Sequence, residues 1–110
     1  MPEHIIKIIE EFMLQVHKSI QDHLCESIIY GSYARGDFNE NSDIDIMILV
    51  NAEDAQIKKY EDELCDRAFD MELAYGIVIS PIVKNQVFFE YWSDTLPFYR
   101  NIKREGIKVA

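Results

Sequence analysis

No run of apolar residues in this chain approaches the ~20 that a membrane span needs, which excludes a transmembrane helix. There is no low-complexity stretch, no internal repeat and no linker, and 110 residues fit one domain of the commonest size. Cysteine is scarce. Cys25 and Cys65 lack metal-ligand spacing, and they are expected to be buried free thiols in a reducing compartment. Positive charge is short as well: 11 Lys and Arg face 20 Asp and Glu, a formal charge of −9. A negative field repels phosphate backbones, so direct non-specific binding to DNA or RNA is not expected. The same field suits a basic protein partner. The N-terminus carries Glu3 and His4 where a signal peptide would carry basic residues. The expected location is the cytoplasm.

What is present is apolar and aromatic. Hydrophobic residues make up 48% of the chain, enough for a core without staples. Six Phe, six Tyr and one Trp exceed what such a core needs, so some are expected to face a partner. Ile5, Ile9, Phe12, Val16, Ile20 and Leu24 recur at helical spacing and predict a helix over 2–24, with Pro2 and Glu3 suited to its first turn. Residues 27–32 read as a short strand broken by Gly31, and 42–50 as a strand of buried character. A second helix over 52–75 has Ile57, Tyr60, Leu64, Ala68, Met71 and Tyr75 as its apolar stripe and Gly76 as its terminator. Residues 77–83 read as a third strand, at an edge or bulged because Pro81 has no N–H to give. A short helix follows over 86–92, then one over 96–106 with Pro97 in its first turn, and 107–109 can add an edge strand. His4, His17 and His23 are read as surface residues. The order predicts an α/β (α+β) domain, a small mixed β-sheet backed by helices.

The informative stretch is "GSYARGDFNENSDIDIMILV", residues 31–50. Side chains alternate along a strand, so Asp43 and Asp45 share one face and Ile44, Ile46, Ile48 and Val50 the other, core-facing one. Two carboxylates side by side repel and raise each other's pKa. A divalent cation removes the conflict, and Mg²⁺ prefers one or two carboxylates plus water and substrate phosphates. Gly31 permits a sharp turn and a close ligand approach. Ser32 offers a hydroxyl and a backbone N–H at the start of a helical turn, a phosphate cradle. Gly36 is a second permissive point, and Asn39, Asn41 and Ser42 are turn residues that present Asp43. Gly-Ser alone, or Asp-x-Asp alone, says little. In fixed order, Gly-Ser, ten residues, then Asp-x-Asp opening an apolar strand, they are specific.

This segment resembles the signature of the minimal nucleotidyltransferase (MNT) family, within the polymerase-β-type nucleotidyltransferase superfamily. The resemblance runs from the leading helix to "LPFYRNIKREGI". It implies nucleotidyl transfer, with AMP the expected group, from ATP or another nucleoside triphosphate, assisted by two Mg²⁺ ions. Carried over by position, Gly31 and Ser32 would hold the triphosphate, with Arg35 and Ser42 as further nucleotide-binding candidates. Asp43 and Asp45 would be the catalytic metal ligands. The resemblance also implies a partner, a small helical HEPN-type toxin to which such a protein is the antitoxin.

One departure stands out. The family places a third carboxylate on the next strand, and "GIVISPIVK" contains no acid. Ser80 is taken to occupy that place, as a weak ligand or as a plain strand serine. Asp37, Glu40 and Glu90 are the acids that could substitute. Arg35 suits a phosphate or a salt bridge with Asp37 or Glu40, and Lys84, Lys103 and Arg104 are candidates for the triphosphate tail. Two functions therefore stand side by side: an Mg²⁺-dependent nucleotidyltransferase acting on a protein, or a module of the same fold that neutralises its partner by contact alone. A nucleotide-level sensor is a minor third.

Overall fold

Ile5, Ile8, Ile9, Phe12, Met13, Val16 and Ile20 recur every three or four residues and wind the first segment into helix α1 (Glu3–Ile20), with that stripe buried. The helix stops four residues short of the expected end. Gln21 adopts a positive φ of 56°, a 3-10 turn covers Gln21–His23, and Leu24, helical by spacing, opens strand β1 (Leu24–Tyr30) instead. Gly31 and a single helical turn, α2 (Ser32–Arg35), lead through a loop to β2 (Ile44–Val50). Helix α3 (Asp54–Tyr75) ends at Gly76, whose φ of 72° only glycine takes freely, and crosses to β3 (Ile79–Asn85). Then come α4 (Gln86–Trp92), α5 (Pro97–Glu105) with proline opening its first turn, and β4 (Ile107–Lys108). This computed structural model describes residues 1–109.

The strands lie in the order β3-β2-β1-β4. β1 runs antiparallel to β2 and to β4, while β2 and β3 are parallel and joined through α3. The mixed sheet backed by helices is as expected, with strand ends shifted. β1 begins at 24 and stops at 30, β2 starts at 44 and β3 runs over 79–85. β2 has two apolar faces beyond its first residues. Ile44, Ile46, Ile48 and Val50 pack against α1 and α3, whereas Met47 and Leu49 pack against Phe89, Tyr99 and Ile102 of α4 and α5. Met47, Ile48, Leu49 and Val50 are all 0% exposed, which makes β2 the centre of the molecule. Each such side chain contributes about 1.5–3 kcal/mol by leaving water.

Two expectations need correction. Cys25 and Cys65 are exposed, not buried. Cys65 sits on the wet side of α3 beside Asp62 and Asp66, and partial desolvation of the sulfur together with the acids Glu61, Asp62 and Asp66 pushes its thiol up, away from the reactive thiolate. Tyr75 is also exposed rather than part of the α3 stripe, and its hydroxyl donates to Glu11 Oε2 at 2.5 Å.

The open edge of the sheet is closed chemically. The Ile44 N–H donates to Val78 O at 2.9 Å, so alternation turns the backbone of residues 79, 81 and 83 outward. Pro81 has no N–H, and the Val83 N–H donates to Glu61 Oε2 of α3 at 3.1 Å. The other edge, β4, is two residues long. Both are devices that block strand addition. Replacing Glu61 with alanine is expected to cost about 1 kcal/mol, with Glu61→Gln costing less. Urea denaturation checks it; an unchanged midpoint in Glu61→Ala means that water replaces the carboxylate without loss.

Candidate active site

Tyr30 ends β1, and the chain must then reverse beside β2. Gly31 does this with φ 75° and ψ −151°, a region that is essentially glycine's alone. A second constraint is steric: a Cβ at Gly31 would collide with the Asp45 carboxylate. The Ala34 and Arg35 amides both donate to Gly31 O at 3.1 Å, which closes the turn of α2. The Ser32 and Tyr33 amides are the ones such a first turn leaves without an intrahelical acceptor. Gly36, at φ 87°, ends the turn by donating to Ser32 O. The loop to β2 is held by its own polar groups. Ser42 Oγ accepts from the Asn39 N–H at 2.9 Å, Asn39 Oδ1 accepts from the Asn41 N–H at 2.8 Å, and Tyr33 stacks on Phe38 at 4.5 Å.

Asp43 lies just before β2 and is exposed; Asp45 is its second residue and half-buried. In the sheet register Asp45 stands between Tyr30 on β1 and Ser80 on β3. Burial pushes the Asp45 carboxyl above the usual carboxylate range, the neighbouring Asp43 charge adds to this, and Arg35 opposes it. The Tyr30 hydroxyl is pushed up to about 12, first by burial and then by Asp45. Burial and Asp43 raise Tyr33 too. Asp43 and Asp45 are thus close enough for their charges to oppose one another.

Asp45, but not Asp43, lines a cavity of about 420 Å³, bounded with it by Tyr30, Gly31, Ser32 and Arg35 on the sheet side and by Phe98, Asn101, Ile102 and Glu105 of α5 on the other. The α5 wall escaped the sequence reading. Its signal was the helical spacing of Phe98, Asn101, Ile102 and Glu105 on an amphipathic helix. Arg35 pairs with Asp37 at 3.2 Å and Glu105 at 3.9 Å. Other candidates lie elsewhere. Lys84 lines a cavity at the far end of β2 and β3, Lys103 pairs with Glu90 at 3.0 Å, and Arg104 pairs with Glu105 at 3.5 Å. His4, His17 and His23 are exposed.

A family model described as "Nucleotidyltransferase domain" matches residues 6–108 of this chain, spanning the Gly-Ser turn, the acidic strand and α5. The chain belongs to the nucleotidyltransferase family. Two proteins of Methanocaldococcus jannaschii are similar along its length. One, named "Putative protein adenylyltransferase MJ0141", is 36% identical over 95 residues, covering 86% of this chain and 94% of that protein. The other, named "Putative protein adenylyltransferase MJ0604", is 36% identical over 103 residues, covering 91% and 92%. Among solved structures, a "putative nucleotidyltransferase from Sulfolobus solfataricus" superposes with a TM-score of 0.61 at 21% identity, covering 96% of this chain and 78% of that one. A toxin-antitoxin crystallised with AMP-PNP superposes with a TM-score of 0.51 at 16% identity, covering 90% and 70%. At such identities the structures speak for the polymerase-β-like fold.

The donor set of this nucleotidyltransferase can be tested against Mg²⁺. Among the described residues, no group of three or more His, Cys, Asp or Glu is arranged to hold a metal ion. Asp43 and Asp45 are two interacting carboxylates, with Arg35 the cation that opposes the rise at Asp45, and Mg²⁺ takes one or two carboxylates with phosphate oxygens and water. The pair fits that demand.

Two outcomes follow for the metal-free protein. Gly31→Ala is expected to cost roughly 1–3 kcal/mol in urea denaturation. Gly36→Ala should cost less, since a Cβ there meets nothing within 4 Å. Equal costs would show that the Asp45 contact is not a constraint. Asp45→Asn is expected to raise the melting temperature at neutral pH. A carboxyl with a raised folded pKa binds its proton better when folded. Its contribution is therefore present below the unfolded value and lost as pH rises through the folded one. The gap between wild type and Asp45→Asn should narrow in acid, and a lower melting temperature for the variant at neutral pH refutes the electrostatic reading.

Proposed function

We propose that this protein transfers a nucleotidyl group, AMP from ATP, to a protein acceptor, and that it works as the antitoxin of a helical HEPN-type toxin. The observation that carries the site is that the Asp45 carboxylate occupies the space a Cβ at Gly31 would need, which puts a side-chain-free turn beside a paired acid. The protein adenylyltransferase names of the two archaeal relatives support the acceptor class. The toxin-antitoxin crystallised with AMP-PNP supports both a nucleotide ligand and a protein partner.

In this reading the Ser32 and Tyr33 amides receive the triphosphate tail, and Gly31 lets it approach without a side chain in the way. Arg35 flanks the same cavity and offers its guanidinium to phosphate oxygens. Ser42 keeps its hydroxyl oxygen in the Asn39 turn and so fixes where Asp43 stands. Asp43 and Asp45 would hold Mg²⁺, which supplies charge neutralisation for an in-line displacement when bound. The acceptor oxygen bonds to the α-phosphorus, the bond to the bridging oxygen breaks, pyrophosphate leaves and the acceptor proton passes to water. Ser80, beside Asp45 in the register, brings a hydroxyl and no charge to that edge of the site.

That neutral Ser80 favours a second reading, in which the protein silences its partner by contact alone and turns over slowly or not at all. The surface for such contact is α4. Val87 and Tyr91 are each 74% exposed, Phe88 is half-exposed, and with Trp92 they border a cavity of about 730 Å³ rimmed by Glu53, Asp54 and Lys84. An apolar patch whose rim is net acidic, on a chain of net charge −9, suits a basic, helical partner.

Incubation with α-labelled ATP, Mg²⁺ and the helical protein that co-purifies from the native host tests both. Transfer predicts label on the partner, reduced about a hundredfold or more in Asp43→Asn and Asp45→Asn. A neutralised but unlabelled partner selects the second reading. Tyr91→Asp is expected to weaken partner binding about tenfold or more while leaving Mg-ATP binding unchanged, by calorimetry. Unchanged partner affinity removes α4 from the interface.

A further inference from the structure

Glu105 stands where its own helix does not favour it. It is the last residue of α5, and a negative charge there meets the negative end of the helix dipole. The two residues before it, Lys103 and Arg104, are the cations that such an end prefers. Glu105 is nonetheless half-buried and lines the same cavity as Gly31, Ser32 and Asp45. Its ion-pair partners are arginines: Oε2 lies 3.9 Å from Arg35 Nη1, and Oε1 lies 3.5 Å from Arg104 Nη2. Arg35 is held on its other side by Asp37 at 3.2 Å. Among the described residues lining this cavity, Arg35 carries the one positive charge against the two carboxylates Asp45 and Glu105.

We propose that Glu105 is a specificity-determining residue of this cavity, holding Arg35 in an ion pair with which an incoming polyphosphate must compete. The inference rests on the nucleotide-site reading above and adds to it what the site refuses. The Arg35–Glu105 pair is long and partly solvated, so parting it costs little. Phosphate oxygens offer the guanidinium shorter, charge-assisted bonds. A triphosphate has enough oxygens to engage the Ser32 and Tyr33 amides and win Arg35 at the same time. A single phosphate does not.

Calorimetry with magnesium tripolyphosphate and with inorganic phosphate, on the whole protein, tests this. Wild type, Glu105→Gln, Arg35→Gln and the double variant form a cycle. Glu105→Gln is expected to bind tripolyphosphate about three- to fivefold tighter and to gain measurable phosphate binding. In the Arg35→Gln background that gain should fall below about twofold. Thermal unfolding of Glu105→Gln should be unchanged or higher, because an opposing charge leaves the end of α5. The proposal is overturned if Glu105→Gln binds no tighter, or if the full gain persists without Arg35. Wild type binding Mg-ATP with no gain in Glu105→Gln removes the competition and leaves the nucleotide site standing. If neither protein binds Mg-ATP or tripolyphosphate, the nucleotide reading falls and the competition falls with it.

Discussion

The Asp45 carboxylate fills the space that a Cβ at residue 31 would need, and the rest of the site depends on that constraint. It demands a residue without a Cβ at 31, in a conformation that only glycine takes. It then fixes where α2 begins, and with it the direction of the free amides of the turn. It also holds an acid half-buried beside another acid, at a cost to the fold that a bound cation would relieve. Natural proteins commonly accept such local cost at sites that act on ligands. Here the cost falls on the start of β2, and the remainder of that strand compensates for it.

β2 is buried on both faces from Met47 onward, under α1 and α3 on one side and α4 and α5 on the other. An anchor of that kind lets the start of the strand carry the Asp45 charge without loosening the sheet. The sheet edges follow the same economy. Glu61 reaches from α3 to the Val83 amide, and Pro81 removes a donor next to it, so the short sheet is finished rather than open.

Much of this was legible in the chain. The α1 stripe, the Gly76 stop, the Pro97 start and the residues of α4 could be read directly, because period, cap and proline chemistry are local. The core-facing isoleucines of β2 were legible from alternation. Leu24 was not, since its helical spacing fitted α1 while its backbone was claimed by pairing with Val50. Cys25 and Cys65 were misjudged because thiols resemble small core residues in sequence alone, and only neighbours show the exposure. Within the site, the Gly-Ser turn and the acidic pair announced themselves by order and spacing. The α5 wall did not, because Phe98, Asn101 and Glu105 reach the cavity only through the packing of Tyr99 and Ile102 on β2 and β1.

The two cavities lie at opposite ends of β2. One sits at the acidic start of the strand and the other beyond its last residue, between α3 and α4. Seven residues of strand separate them, about 20 Å at the usual rise. A macromolecule gripped at the α4 end would leave the carboxylates uncovered. Its attachment point and its chemical target would then be different parts of it. Reach becomes the selective quantity: only a segment that extends some two nanometres from the grip, or one supplied by a second molecule, meets the acids. Recognition could then be tight without obstructing exchange of a small ligand at the far end.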